Sequence, residues 1–446
     1  SGPVSFMRIW DAMCATMLST GARRGAMMAT LACDHPDIEA FVDAKRDPAA
    51  LRHFNLSVLV SDALLDAVAH DRDWPLRFPD EAGVERVHRT LKARALWRRI
   101  LAAAYDSAEP GVLFVDTINR DNPLAASETL TATNPCGEIP LPAYGACDLG
   151  SLNLAAFVRA PFEAAARLDL DALAAAARVA VRFLDDVIEV SRYPLPAQAQ
   201  EAHRKRRIGL GVTGLADALV MLNLAYDSEA ARALAGEAMR RVRDAALHAS
   251  VGLAQEKGAF PAFSAEAYLA SGYAQRLPPA IRAAIAAHGL RNSHLLAVAP
   301  AGTISLLANN LSSGIEPVFA AVSERRVLGT DGAYREHRVE DYACWLWRRR
   351  GGAGLPPAFV DARGIDPAAH LAMQAALQPC VDNAISKTIN VAVDTPFEKF
   401  QEIYRQAHAL GLKGCTVFRP NPVSGAILGD PADAATPCCG IEREAD

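Results

Sequence analysis

Asn134, Cys136 and Glu138 occupy alternate positions in the run Asn-Pro-Cys-Gly-Glu, and a second thiol, Cys147, follows eleven residues after the first. In an extended segment that spacing turns an amide, a thiol and a carboxyl to one side of the chain. A carboxylate beside a cysteine raises the thiol pKa, and no histidine lies nearby in sequence, so a Cys/His nucleophile is poorly served. The set suits a thiol that reacts as a radical. Its S–H bond is close in strength to a ribose C–H bond, Glu138 can take a hydroxyl proton, Asn134 can hold a second hydroxyl, and Cys147 can act as a reductant. Spacing alone is equally consistent with a structural turn that buries two thiols.

These residues lie in 121–150, where periodicity vanishes and Pro, Gly, Asn and Thr accumulate. A long ordered loop of this kind inside a regular domain is usually functional. Around it, short apolar or β-branched runs alternate with longer amphipathic ones, which predicts α/β architecture with parallel strands joined by helices. Strands are expected at 54–61, 111–116, 207–214, 294–300, 388–394 and 413–419. Helices are expected near 5–19, 36–45, 61–70, 93–107, 170–192, 228–257, 276–287 and 396–410, with Gly258 as a stop.

A second chemical motif follows the 294–300 run, where Ala301, Gly302, Thr303, Ile304 and Ser305 form a small-residue turn leading toward a helix. Backbone N–H groups and the two hydroxyls there fit a phosphate, and equally an ordinary helix cap. Gly209, Gly211 and Gly214 satisfy the dinucleotide fingerprint, but the preceding residues are polar and basic instead of a buried strand, which argues against that site. The basic run 203–207 reads as a solvated face or a structural anion contact. No metal-binding motif occurs, so no metal ligands are assigned.

The bulk properties exclude several classes. With 51% hydrophobic and 22% charged residues and a net charge of −5, the composition is that of a soluble globular protein with no call for a nucleic-acid partner. Apolar runs are too short or interrupted to span a membrane, and nine scattered cysteines are not a secreted disulfide framework, so a cytoplasmic protein with reduced thiols is expected. The chain opens without an initiator Met and with helical periodicity at once, as expected of a sequence entered mid-domain.

The Asn134, Cys136 and Glu138 pattern resembles the finger loop of the ribonucleotide reductase catalytic subunit. "FNLSV", "RRIGLGVTGLAD", "SKTIN" and "GLKGCTVFRPN" match the same family in order, so the resemblance covers nearly all of 1–428. It implies a ten-stranded α/β barrel of two five-stranded parallel halves, N-terminally incomplete, with a central finger loop at about 121–150 and a flexible tail over 429–446. It also implies that the 301–305 turn, with Pro135 and Gly137, binds the substrate. The loop bearing Thr20, Gly21, Arg23 and Arg24 would take a nucleoside triphosphate effector.

The last strand candidate lacks the Tyr-Tyr pair of the diiron class, and the Cys136–Cys147 spacing, "GARRGAMM" and "SKTIN" resemble the adenosylcobalamin-dependent class. The implied reaction reduces ribonucleoside diphosphates to deoxyribonucleotides for DNA synthesis. Homolysis of the cobalt–carbon bond oxidises Cys136, whose thiyl takes the ribose 3′-hydrogen while Glu138 accepts the 3′-hydroxyl proton and the 2′-hydroxyl leaves as water. Cys147 matches one of the family's two reducing cysteines. The other belongs to a strand upstream of the region where this sequence begins, and neither Cys14 nor Cys33 sits in its motif.

Implied partners are the ribonucleotide, the effector, a thioredoxin-type reductant, a separately encoded portion of the enzyme and a second copy as homodimer. Cys438 and Cys439 are either a tail dithiol or incidental, and a disulfide between adjacent residues is strained. The rival readings are the large subunit of a diiron-dependent reductase, a non-catalytic nucleotide-binding barrel, and a glycyl-radical enzyme, for which no C-terminal glycine loop is evident.

Overall fold

Phe54–Val60 and Gly111–Phe114 are buried almost throughout, as parallel strands covered on both faces must be. The computed structural model describes residues 2–19, 23–47, 49–328, 334–420 and 428–429. Seven strands carry the architecture: β1 (Met27–Ala32), β2 (Phe54–Val60), β3 (Gly111–Phe114), β4 (Asp148–Asn153), β5 (Ile208–Thr213), β6 (Thr388–Asn390) and β7 (Gly414–Phe418). β1, β2 and β3 pair in parallel, β3 meets β7 antiparallel, and β7 pairs in parallel with β6. The ladder continues through bridges from Ile385 to Val298 and from Leu296 to Leu210 of β5, which pairs along its length with β4.

Three parallel strands thus lie on one side of the β3–β7 seam. On the other lie β7, the segment leading into β6, the extended stretch around 294–299, β5 and β4. Among the described residues β1 and β4 are the ends of this ladder, so the architecture is mixed α/β and the expected ten-stranded closure is not present as one closed sheet.

Several expectations are shifted for local reasons. The 294–300 run contributes isolated bridges because the Asp382 carboxylate takes the Leu295 and Leu296 N–H groups at 2.8 Å. The 111–116 strand stops at Phe114, where the helix Val115–Asp121 starts, and the 388–394 strand ends at Asn390. The helix expected over 36–45 is confined to Ile38–Val42. Ala93–Ser107, Leu170–Val190, Glu229–Lys257 and Phe397–Ala409 form where periodicity places them. Asp169 and Ser228 cap two of these by accepting N–H groups of Ala172 and Ala231.

Of the two readings of 203–207, the solvated face is corrected for its last three residues and the structural anion contact holds. Lys205, Arg206 and Arg207 are at most 5% exposed, because buried carboxylates stand opposite them. Glu128 accepts from Lys205 at 2.5 Å and from Arg207 at 2.7 Å, and Arg206 pairs with Asp185 and Glu189. The glycine fingerprint is also explained: Gly209 and Gly211 lie within β5, where a Cβ would stand 2.6 Å from Leu149 Cδ2 and 2.2 Å from the Ala297 carbonyl oxygen. They permit close strand approach instead of binding a dinucleotide.

Candidate active site

Pro fixes one backbone angle of the Asn-Pro-Cys-Gly-Glu run and Gly137 supplies φ +84°, so the run turns tightly where an extended segment was expected. The Gly137 N–H donates to the Asn134 carbonyl at 3.0 Å, the Asn134 N–H to the Ile139 carbonyl at 3.1 Å, and the Ile139 N–H to Asn134 Oδ1 at 3.0 Å. Ala132–Thr133 and Pro140–Leu141 pair antiparallel on either side, making Cys136 the tip of a hairpin. The loop is pinned along its length. Asn119 bonds both backbone groups of Leu130, Thr30 donates to the Thr131 carbonyl, Asn55 to Pro135, Arg207 to Pro140, and the Ala384 N–H to Glu138.

A cavity of about 580 Å³ opens at this tip, within the range that takes a small-molecule ligand. Pro135, Cys136, Gly137 and Glu138 line one part of it, and Ala301, Gly302, Thr303 and Ile304 another. The Ser305 hydroxyl does not join them: it is buried 2.7 Å from Thr213 Oγ1, tying the short helix Gly302–Leu307 to β5. Asn134 is engaged within the turn. Cys147 immediately precedes β4 and is not among the lining residues, its thiol 3.6 Å from the Asp148 carbonyl oxygen. Of the loop at 20–24, Thr20 and Gly21 lie outside the described residues, and the backbone of Arg23–Arg24 pairs with Leu18–Ser19.

Glu138 is 1% exposed, and burial raises its carboxyl pKa while the neighbouring Asn134 amide pulls it down. Its Oε2 has no hydrogen-bond partner, so the group is poised to hold or accept a proton. Burial also pushes the Cys147 thiol well up, opposed by the Arg207 guanidinium. A second cluster faces the cavity from β6: Lys387 Nζ lies 2.6 Å from Glu316 Oε2 and 3.0 Å from His370 Nδ1, and the Thr388 N–H donates to Glu316 Oε1 at 2.6 Å. Burial, reinforced by Lys387, depresses His370 to about 2, so it stands neutral beside the ammonium.

Sequence reasoning assigned no site role to Asn55, Ser57, Glu316, Lys387, Cys415 or Thr416, all of which line the cavity. A signal existed for the first two. In Phe-Asn-Leu-Ser-Val the polar residues fall two apart, the period at which a strand turns side chains to one face.

Fold and cavity together define an α/β protein that presents a thiol and a buried carboxyl, from one loop, to a ligand-sized cavity. Residues 1–418 match the family described as "Ribonucleotide reductase, barrel domain". A vitamin B12-dependent ribonucleoside-diphosphate reductase of Mycobacterium tuberculosis (strain CDC 1551 / Oshkosh) is 41% identical over 97% of this chain and 62% of the relative. One from Thermoplasma acidophilum is 36% identical over 96% of this chain and 55% of the relative. A vitamin B12-dependent ribonucleotide reductase of Streptomyces coelicolor is 28% identical over 98% and 52%. This chain belongs to the ribonucleotide reductase barrel-domain family and spans half to three fifths of the length of these curated relatives.

Proposed function

We propose that this chain carries the catalytic barrel of an adenosylcobalamin-dependent enzyme that reduces ribonucleoside diphosphates to deoxyribonucleotides. The observation that supports it is the sharing of one cavity by Cys136, Glu138 and the hydroxyl-bearing turn at Thr303. A nucleotide would lie with its phosphates toward Ala301–Ile304 and its ribose toward Cys136. Cys136 would exchange a hydrogen atom with the 3′-carbon, while Glu138, partly desolvated and with an unpartnered oxygen, would hold the 3′-hydroxyl proton. Asn134 would steady the second hydroxyl as well as the turn, with Pro135 and Gly137 shaping the sugar's contact surface. Cys147 would supply one of two thiols oxidised to a disulfide as the 2′-hydroxyl leaves as water.

The residues present fit the cofactor. Leu149 and Ile304 line the cavity yet are 41% and 44% exposed, so an apolar mouth opens beside the thiol and could seat a flat macrocycle. Adenosylcobalamin, when bound, supplies the one-electron oxidant of Cys136. We take 1–428 as the barrel, a ten-stranded closure of two five-stranded halves, and 429–446, with Cys438 and Cys439, as its tail. The 20–24 loop is assigned to a nucleoside triphosphate effector, the chain to a homodimer, and recharging of Cys147 to a thioredoxin-type reductant in the cytoplasm. No helix among the described residues is long and apolar enough to cross a membrane.

The test is turnover of each ribonucleoside diphosphate with added adenosylcobalamin and dithiothreitol. Deoxynucleotide is expected from the wild type and none from Cys136→Ser, which should still bind nucleotide, whereas Cys147→Ser should stall after hydrogen abstraction. Product from Cys136→Ser removes the radical role, and activity with a diiron partner but not with cobalamin overturns the class.

A further inference from the structure

The turn that carries Cys136 is gripped from outside at the peptide bond just before the thiol. Asn55 Nδ2 donates to the Pro135 carbonyl oxygen at 2.9 Å from β2, eighty residues away in sequence. β2 is buried at every position except Asn55, which is half-buried and lines the cavity, as does Ser57 two residues on. An amide in so apolar a strand is costly unless its hydrogen bonds are used. Resting on the reading of Cys136 as the reacting thiol, we propose that Asn55 is a positioning residue that aims the Cys136 sulfur into the cavity.

The backbone geometry carries this. The Pro135 ring fixes the angle before its Cα, but the angle after it is open to rotation, and that rotation swings the whole Pro135–Cys136 peptide plane. Holding the Pro135 carbonyl removes the freedom. On the other side of the thiol, the Gly137 N–H is fastened to the Asn134 carbonyl. The Glu138 carbonyl is fastened to the Ala384 N–H at 2.8 Å. Gly137 itself, at φ +84° with nothing within 4 Å of a built Cβ, offers no side-chain packing to hold the tip. Orientation at Cys136 therefore draws on these backbone hydrogen bonds, and Asn55 supplies the one at the Pro135–Cys136 peptide itself.

The test compares wild type with Asn55→Ala and with the isosteric Asn55→Asp, which keeps the shape and loses the donor. Three quantities are read: kcat and KM with the nucleotide, the rate at which iodoacetamide labels Cys136 in the cofactor-free protein as followed by peptide mass mapping, and the thermal midpoint. A displacement on the order of 1 Å at a reacting atom costs about 10²-fold, so kcat should fall by about 10- to 100-fold in both variants, with KM within about threefold. Labelling of Cys136 should accelerate by at least about threefold as the turn loosens, with little change in midpoint. Wild-type labelling and kcat in both variants would overturn the proposal, as would a raised KM at unchanged kcat, which marks a ligand contact instead. If Asn55→Ala fails to fold, Asn55→Asp decides. If the wild type shows no turnover the reaction reading fails, while the labelling rates still judge Asn55.

Discussion

At the scale of single residues, Glu138 is held in a state that costs stability and serves reactivity. Burial raises its pKa above the ordinary 4.5, and one oxygen lacks a partner. The folded chain therefore binds that proton more tightly than the unfolded chain does. The carboxyl's contribution is favourable below the unfolded value and is lost as pH rises through the folded one. Glu138→Gln removes this dependence. Its unfolding free energy relative to wild type should climb as pH rises above about 4.5, by on the order of 1 kcal/mol, the cost of an unsatisfied buried polar group, while turnover disappears. Urea unfolding at several pH values measures it, and a difference that stays flat across that range contradicts a desolvated carboxyl.

At the scale of elements, the close approach of β5 to the 294–299 stretch depends on two glycines, and the long helix Glu229–Lys257 holds one that does nothing comparable. At Gly211 a methyl group would meet the Ala297 carbonyl oxygen at 2.2 Å, and the nearest atoms are all backbone of Ala297 and Val298, which yields less readily than a side chain. At Gly252 a methyl group would meet open space. Gly211→Ala should destabilise by about 1–3 kcal/mol through overpacking, while Gly252→Ala should stabilise by roughly 0.5–1 kcal/mol through helix propensity. Opposite shifts in denaturation midpoint are expected, and a neutral Gly211→Ala would show that β5 is not tightly laid against its neighbour. The 203–207 run makes a similar point about buried ion pairs. Arg206→Leu takes one of two guanidinium partners from Asp185, which is fully buried and keeps Arg291 at 3.3 Å, and should cost about 1–3 kcal/mol. The long helices were legible in the sequence because capping residues and a 3.6-residue period are local properties. The burial of Lys205, Arg206 and Arg207 was not: Glu201 stands one helical turn before Lys205, but the carboxylates buried against the three come from residues 128 and 185, distant in sequence. The reactive turn was half legible: the residue types announced the chemistry, but the tight geometry depends on Asn55 and Ala384, far along the chain.

At the scale of the whole molecule, the two halves of the ladder meet where β3 crosses to β7, and Lys413, the residue before β7, is 1% exposed at that seam. Its ammonium reaches the carbonyl oxygens of Val381 at 3.3 Å, Asp382 at 2.7 Å and Asn383 at 2.5 Å, and stands 3.6 Å from Asp121 Oδ2. One cation thus binds the segment leading into β6, which carries the Ala384 anchor of the Cys136 turn, to the end of the helix Val115–Asp121 on the other half. Burial depresses Lys413 to about 8, opposed by Asp121 and Asp382, so above that pH the folded chain holds the proton less tightly than the unfolded chain, whose lysine titrates near 10.5. In that window the unfolded state binds more protons, and the lysine's contribution to stability rises with pH. Lys413→Met cannot show the rise, and it leaves the three carbonyls and Asp121 without the cation. Below pH 8 the variant should be less stable than wild type by about 1–3 kcal/mol, the cost of leaving buried carbonyl acceptors without a donor, while Asp121 keeps its bidentate pair with Arg276. Between about pH 8 and pH 10 the gap should widen further, since only the wild type gains from deprotonation. Denaturant unfolding of both proteins across pH 6–10 measures the gap, and one that stays flat would show that the lysine titrates alike in the folded and unfolded chains.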